Sequence, residues 1–227
     1  MAATVEPWPR TPYQSAVRPS CGASGPMPTR VTARLDVAIL PAYVTAANVG
    51  LYSVATNVSL IVYQLSNTFA GLVLPEAAGD PERGPAKVVG SLWASLLVAG
   101  ALDAVLALLA EPLLGLVYGD DFRDASEALL LLLPGAVLFA GSSILGAGVS
   151  AAGRPFTATV TQLLGMVVTI AGLFIFLRTG GITAAALVST ASYSTVFFAA
   201  LIAYQRVTRI PWREFVPTPA RLRAIAR

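Results

Sequence analysis

The order of hydrophobic and polar residues along the chain is dominated by long stretches without a charged side chain. Four of them run from Val37 to Pro75, from Ala128 to Gly153, from Pro155 to Leu177 and from Thr179 to Gln205. A transmembrane helix needs about 20 predominantly apolar residues. Each stretch is therefore long enough to cross a bilayer, and the pattern predicts an all-α integral membrane protein.

Breaker residues divide these stretches into spans. Gly, Pro and charged residues cluster at 75–87, 153–155 and 178–181, and the sequence NVGLY at 48–52 predicts a further connection. The result is a six-helix transmembrane bundle within residues 31–205, with spans at 31–49, 52–75, 87–110, 125–150, 156–177 and 182–205.

Different compositions flank this bundle. Residues 1–30 hold six of the sixteen prolines and little hydrophobic periodicity, which predicts a disordered Pro-rich N-terminal segment. Residues 206–227 carry six arginines against one glutamate, which predicts a basic cytoplasmic tail. This tail is either an ordinary positive-inside anchor or a segment that lies on anionic lipid headgroups.

The overall composition narrows the function classes. Hydrophobic residues make up 56% and charged residues 12% of the 227 positions, too apolar for an ordinary soluble domain. The chain has no histidine, the usual proton shuttle and metal ligand, and its single cysteine, Cys21, cannot form an internal disulfide. We therefore expect no catalytic site, no metal, no cofactor and no nucleic-acid partner.

The positions of the basic residues predict the orientation. With both termini cytoplasmic, thirteen of the fifteen basic residues lie on the inner side, and only Arg123 and Arg178 lie outside. Cytoplasmic loops of membrane proteins carry such an excess of Lys and Arg. The sequence thus predicts a multi-pass protein of the cytoplasmic membrane with both ends inside the cell.

Several short sequences in a fixed order carry a resemblance to a known family. They are RLD at 34–36 followed after thirteen residues by GLYS, then LPE at 74–76, YGDDF at 118–122, AGRP at 152–155 and GGITAAA at 180–186. In this order and spacing, residues 34–204 resemble the C-terminal half of polysaccharide flippases of the multidrug/oligosaccharidyl-lipid/polysaccharide exporter superfamily. No single one of these motifs is specific.

This resemblance implies a fold and a function. Such flippases have two helical bundles around a central cavity, and they move lipid-linked oligosaccharides from the cytoplasmic to the outer leaflet. The chain would supply one bundle, so a homodimer or a second transporter half is the expected partner, beside the lipid bilayer and the lipid-linked oligosaccharide. Two alternatives stay open: a small-molecule or drug exporter of the same superfamily, and a non-transporting membrane scaffold for polysaccharide assembly.

The second predicted span has one polar side. Within an arc of about 100° around the helix lie the candidate cavity residues Ser53, Asn57, Gln64, Asn67 and Thr68. Amides facing lipid would cost several kcal/mol, so this side must meet protein or water. Two interpretations remain: hydrogen bonds that hold membrane helices together, or a cavity lining that binds sugar hydroxyls.

Charged residues in or beside the spans are the candidates for energy coupling. Asp103 lies within the third span, where an ionisable side chain is costly and suggests function. Arg34 and Asp36 lie near the inner end of the first span and can equally be an interfacial pair that reaches water. For Asp103 the alternative is a packing role as a protonated or hydrogen-bonded side chain.

One acidic motif raises an enzyme alternative. Asp120, Asp121 and Asp124 have the D-D-x-x-D spacing with which prenyltransferases hold Mg²⁺ on a diphosphate. That chemistry needs a second acidic cluster, which the sequence lacks. The acidic residues instead fit the N-terminus of the next helix, whose dipole they complement.

Overall fold

The computed structural model describes residues 37, 39–79, 84–119, 125–211, 213 and 215. After a 3₁₀ turn at Leu40–Ala42, these residues form four helices: α1 (Ala46–Gly79), α2 (Gly84–Tyr118), α3 (Ala125–Ala151) and α4 (Pro155–Thr208). The predicted disordered segment 1–30, Arg34, Asp36, the Asp120–Asp124 motif and the end of the basic tail lie outside the described residues.

Helix α4 is a hairpin of two antiparallel arms, Pro155–Leu177 and Gly180–Thr208. The chain reverses at Gly181, whose φ of 55° and ψ of −139° lie in a region that only glycine adopts without strain. Away from this turn, hydrogen bonds join the two arms. Thr169 Oγ1 of the first arm donates to Ser192 Oγ of the second at 2.8 Å, and Ser192 Oγ donates to the Gly165 carbonyl at 2.7 Å. These bonds join the two arms across the bilayer-spanning part of the hairpin.

The described residues contain five helices that are long and apolar enough to cross a membrane. They are Ala46–Gln64, Gly84–Tyr118, Ala125–Ala151, Pro155–Leu177 and Gly180–Thr208. The all-helical class is therefore confirmed, and each of the last five predicted spans has a matching helix. The count of six stays a prediction.

The start of the bundle requires a correction. The predicted connection NVGLY at 48–52 is helical, and the non-helical residues are instead Tyr43–Thr45, inside the predicted span 31–49. Thr45 Oγ1 accepts a hydrogen bond from the Asn48 backbone N–H at 3.4 Å, as an N-cap residue does. The helix therefore begins after the cap at Thr45, and Gly50, which costs only about 1 kcal/mol inside a helix, does not interrupt it.

Helix α3 is the centre of the bundle and packs against α1, α2 and α4. Its buried side chains include Leu129, Leu132, Phe139 and Ile144. The register follows from contacts at two glycines of α3. Leu96 of α2 and Phe197 of α4 lie beside Gly141, and Val88 of α2 and Tyr204 of α4 lie beside Gly148. Helix α3 therefore runs antiparallel to α2 and parallel to the second arm of α4.

The residues that follow α4 fold back onto the end of the bundle where α2 begins. Ile210 and Phe215 are buried in a cluster with the start of α2, and Trp93 Nε1 donates to the Phe215 carbonyl at 2.8 Å. The Tyr204 hydroxyl donates to the Pro85 carbonyl at 3.3 Å. These contacts fasten the end of α4 to the beginning of α2.

Candidate functional site

The polar side of α1 lies at the surface of the bundle. Asn57, Gln64 and Thr68 are exposed, and Ser53 is partly buried. The hydroxyls bond within their own helix: Ser53 Oγ donates to the Val49 carbonyl at 2.7 Å and Thr68 Oγ1 to the Gln64 carbonyl at 3.2 Å. We call these four residues the α1 polar face. The fifth candidate, Asn67, lies in the same helix, but its side chain is outside the described part.

Other polar residues of α1 point into the bundle. Thr56 and Ser59 are each 2% exposed, and the Tyr52 hydroxyl lies 3.1 Å from Ser189 Oγ of α4. Of these hydroxyls, that of Tyr52 reaches a neighbouring helix, whereas Ser59 Oγ donates to the Thr56 carbonyl of α1 itself. The side chains of Asn57 and Gln64 are exposed and therefore lie outside the buried interfaces between the helices of this bundle.

Asp103 lies in a different environment from the α1 polar face. It is the twentieth of the 35 residues of α2 and is only 8% exposed. Its neighbours one turn away on the same side, Ala99 and Leu106, belong to the apolar core. Within the described part of the chain, Asp103 Oδ1 has no hydrogen-bond partner. Leu96 of α2 lies beside Gly141 of α3. Because the two helices are antiparallel, Asp103, seven residues after Leu96, lies level with Pro134, seven residues before Gly141.

A second unpartnered group lies on the same side of α2. Ser95 Oγ is buried and, like Asp103 Oδ1, finds no partner among the described residues. The two residues are eight positions apart, about 12 Å along a helix. They are therefore separate polar points in an apolar interface rather than one cluster.

Sequence reasoning missed an aromatic column that borders the α1 polar face. Tyr63 of α1 packs on Phe139 of α3, and Phe139 packs on Tyr193 of α4. Each residue by itself reads as an ordinary apolar residue of a membrane span. Only the packing of three helices brings the rings together, so the sequence contained no signal for the column.

Comparison with known proteins gives one similar curated sequence. Over 166 residues, 70% of this chain, it is 25% identical to the probable low-salt glycan biosynthesis flippase Agl15 of Haloferax volcanii, of which the match covers 35%. No family model matches the chain.

Two solved structures share the fold. One is an outward-facing multidrug resistance MATE family transporter of the MOP superfamily, and the other is a MOP superfamily transporter from Pyrococcus furiosus whose binding pocket is described as having reversed polarity. Both match with a TM-score of 0.64 and 21% identity over 88% of this chain and 47% of theirs. The chain thus spans about half the length of these transporters.

Proposed function

We propose that this chain, a flippase-like member of the MOP superfamily, supplies one half of the path along which a lipid-linked oligosaccharide crosses the cytoplasmic membrane. The sequence similarity to a glycan biosynthesis flippase supports this substrate class. The fold, which matches about half of two MOP-superfamily transporters, supports a bundle that works beside another one. The homologues point to transport rather than to catalysis.

The observation that carries the proposal is the exposure of the α1 polar face. Exposed amides in hydrocarbon are costly, whereas in a water-filled path they are solvated and can bind sugar hydroxyls. A multi-pass membrane bundle with Asn57 and Gln64 on its surface therefore needs water or a second bundle on that side. We propose a homodimer or a second transporter half as the partner, with the α1 polar face lining the space between them.

The test is a flipping assay in vesicles that contain the chain and a lipid-linked oligosaccharide with a fluorescent sugar. Transfer is followed by the fraction of sugar that an added impermeant quencher reaches. Replacing Asn57 and Gln64 together by leucine removes two amides that bind the substrate. We expect transfer to be about tenfold slower, which corresponds to ~1.4 kcal/mol.

A pair of valine substitutions provides the matched control. Thr68 and Thr195 each donate a hydroxyl to the carbonyl four residues earlier in their own helix, the first on α1 and the second on α4. We expect Thr68→Val to slow transfer and Thr195→Val to leave it unchanged. Equal rates for the wild type and the Asn57→Leu/Gln64→Leu variant, both correctly folded, would rule out the α1 polar face as part of the path.

A small-molecule exporter is the second candidate, because one structural neighbour is a multidrug resistance transporter. The same vesicles distinguish the two functions when they are loaded with a cationic dye instead of the glycolipid. Dye export without glycolipid transfer would replace our proposal by the exporter. If the chain transports neither the dye nor the glycolipid but retains a defined complex of polysaccharide-assembly enzymes, the scaffold function would be favoured.

We further propose that Asp103 couples transport to the proton gradient. Asp103 Oδ1 is buried and has no hydrogen-bond partner among the described residues. A buried carboxylate is expensive while it carries a charge, so proton binding and release would alter the packing between α2 and its neighbours. Asp103→Asn keeps the size but cannot titrate. We expect this variant to fold normally and to lose gradient-driven transfer. Transfer at the wild-type rate would leave Asp103 as a packing residue.

The orientation remains a proposal based on the distribution of basic residues, with Arg154 and Arg206 on the cytoplasmic side. In a Cys21→Ser background, we expect an impermeant maleimide added to intact cells to label Gly119→Cys and not Thr218→Cys. Labelling of the second variant alone would reverse the topology.

A further inference from the structure

One side of α3 is covered in the second half of the helix and uncovered in the first half. Glu127, Leu130 and Pro134 are spaced three and four residues apart, so they lie on one side of the helix. All three are exposed, Leu130 by 45%. Gly141, seven residues further on, lies on the same side but is covered by α2 and by the second arm of α4. A groove, which we call the α3 groove, therefore runs from the first turn of α3 toward Gly141.

The α3 groove is open because the two helices that meet at Gly141 separate toward the start of α3. The second arm of α4 stays on α3, where Thr190 Oγ1 donates to the Leu131 carbonyl at 2.6 Å. Helix α2 instead packs with α1, and Leu106 of α2 belongs to the same apolar cluster as Tyr52 of α1. The groove thus has α3 as its floor, and α2 and the second arm of α4 as its sides.

Asp103 lies on the side of α2 that faces the α3 groove. It is seven residues after Leu96, which lies beside Gly141, so the two residues share one side of α2, and Asp103 is level with the exposed Pro134. Gly100 lies between them, and a Cβ there would have no heavy atom within 4 Å. Asp103 is 8% exposed, and its Oδ1 has no hydrogen-bond partner among the described residues. The groove therefore leads past open space to a buried carboxyl group.

The polar groups of the α3 groove are suited to water rather than to lipid. Pro134 has no N–H, so the carbonyl of the exposed Leu130 lacks the donor that a helix normally provides four residues later. Among the described side chains in this half of the bundle, the charged groups are Asp103, Glu111 and Glu127, all of them acidic. Unpaired carbonyls and carboxylates are costly in hydrocarbon, and negative charges attract cations, including protons.

We propose that the α3 groove is a water-filled path along which protons reach Asp103 from the side of the membrane where α3 begins. The inference rests on the proposed coupling role of Asp103 and adds to it the route of the proton and the side from which it arrives. It also separates two paths, because the substrate would pass along the α1 polar face, whereas the proton would enter between α2 and the second arm of α4.

The test measures the reaction of single cysteines in the full chain, in a Cys21→Ser background, with an impermeant methanethiosulfonate. The reactive form is the thiolate, which forms in water and not in hydrocarbon. Gly100→Cys places the thiol in the α3 groove. Val98→Cys and Val105→Cys are matched controls, because these residues are 41% and 49% exposed and lie on the other side of α2 at similar depth. We expect Gly100→Cys to react at least about tenfold faster than either control.

Two reference cysteines determine the side from which the groove opens. Gly119→Cys lies at the end of α2 and Ala152→Cys just after α3, and both positions are exposed. The reagent is added to intact cells and to inside-out vesicles. Gly100→Cys should react in the preparation in which Gly119→Cys reacts. Reaction only together with Ala152→Cys would overturn the proposal, because the groove would then open toward the opposite side of the membrane.

A second measurement shows whether the water in the groove reaches Asp103. Gly100 and Asp103 are three residues apart and hence neighbours on the helix surface. At about pH 9 a carboxyl group in contact with water is ionised, so it attracts a cationic methanethiosulfonate and repels an anionic one. We expect Asp103→Asn to lower the ratio of the two rates at Gly100→Cys at least about threefold. Glu111→Gln, about 16 Å from Gly100 along the helix, should change it less. An unchanged ratio in Asp103→Asn would overturn the path.

The possible results separate the path from the proposed function. Gly100→Cys that reacts no faster than Val98→Cys would overturn the water-filled groove and leave the role of the α1 polar face in transfer standing. A reactive Gly100→Cys whose rate ratio depends on Asp103, in a chain without gradient-driven transfer, would confirm the path and overturn the coupling role of Asp103.

Discussion

The contact between the two arms of α4 gives a quantitative prediction at Gly165. A Cβ at this position would overlap Val196 Cγ2 of the opposite arm and would approach Ser192 Oγ to 3.3 Å. Val196 is completely buried, so its side chain has no free space to move into. Gly165→Ala therefore has to push the arms apart, and this displacement also stretches the hydrogen bonds of Ser192 and Thr169.

Three energy contributions determine the expected change in the free energy of unfolding. Overpacking a filled interface costs about 1–3 kcal/mol. Loss of two interhelical hydrogen bonds in a membrane protein costs roughly 0.6 kcal/mol each. Replacing glycine by alanine inside a helix returns about 1 kcal/mol. We therefore expect Gly165→Ala to lower the free energy of unfolding by about 1–3 kcal/mol.

The assay is equilibrium unfolding in mixed micelles, followed by circular dichroism. Gly100→Ala in α2 is the control, because a Cβ there has no heavy atom within 4 Å. This variant should be more stable than the wild type by up to about 1 kcal/mol. In the double variant Gly165→Ala/Val196→Ala the added methyl group finds room, so the two changes should cost less together than the sum of their separate costs.

The result that would refute this reasoning is a Gly165→Ala variant as stable as Gly100→Ala. It would mean that the arms of α4 are not in contact at Gly165. Additive costs in the double variant would likewise show that the Cβ at position 165 does not meet Val196.

Three other substitutions test separate contacts of the bundle by the same unfolding assay. Gly181→Ala should destabilise the hairpin by about 1–3 kcal/mol, because its φ of 55° and ψ of −139° are strained for alanine; an unchanged stability would contradict the observed turn. Trp93→Phe removes the donor to the Phe215 carbonyl and should cost about 0.5–1.5 kcal/mol while speeding cleavage by trypsin near that residue. Tyr52→Phe removes the bond to Ser189 and should cost roughly 0.6 kcal/mol, and an equally stable variant would show that the bond contributes nothing.

The sequence predicted most helix positions because hydrophobic length is a local property. Every residue between Ala128 and Gly153 is uncharged, and α3 occupies Ala125–Ala151. The GRP at 153–155 likewise marks the start of α4, whose first helical residue is Pro155. In a bilayer the backbone must satisfy its own hydrogen bonds, so an apolar stretch of this length has to be helical wherever it packs.

Local signals were less reliable where weak breakers compete with helix formation. NVGLY contains a glycine and an asparagine, which favour turns, yet α1 continues through it from a cap at Thr45. The helix gains a backbone hydrogen bond at each residue, and this gain outweighs the small preference of Asn48 and Gly50 for a turn.

Tertiary structure alone decided which polar residues are inside. The sequence places Thr56 and Asn57 next to each other, but Thr56 is buried and Asn57 exposed, because α2 and α3 cover one side of α1. The same packing joins Tyr63, Phe139 and Tyr193, residues up to 130 positions apart, into one column. Periodicity shows which side chains share a face of a helix, but the register between helices depends on the fit of side chains such as Val196 against Gly165, which no single helix contains.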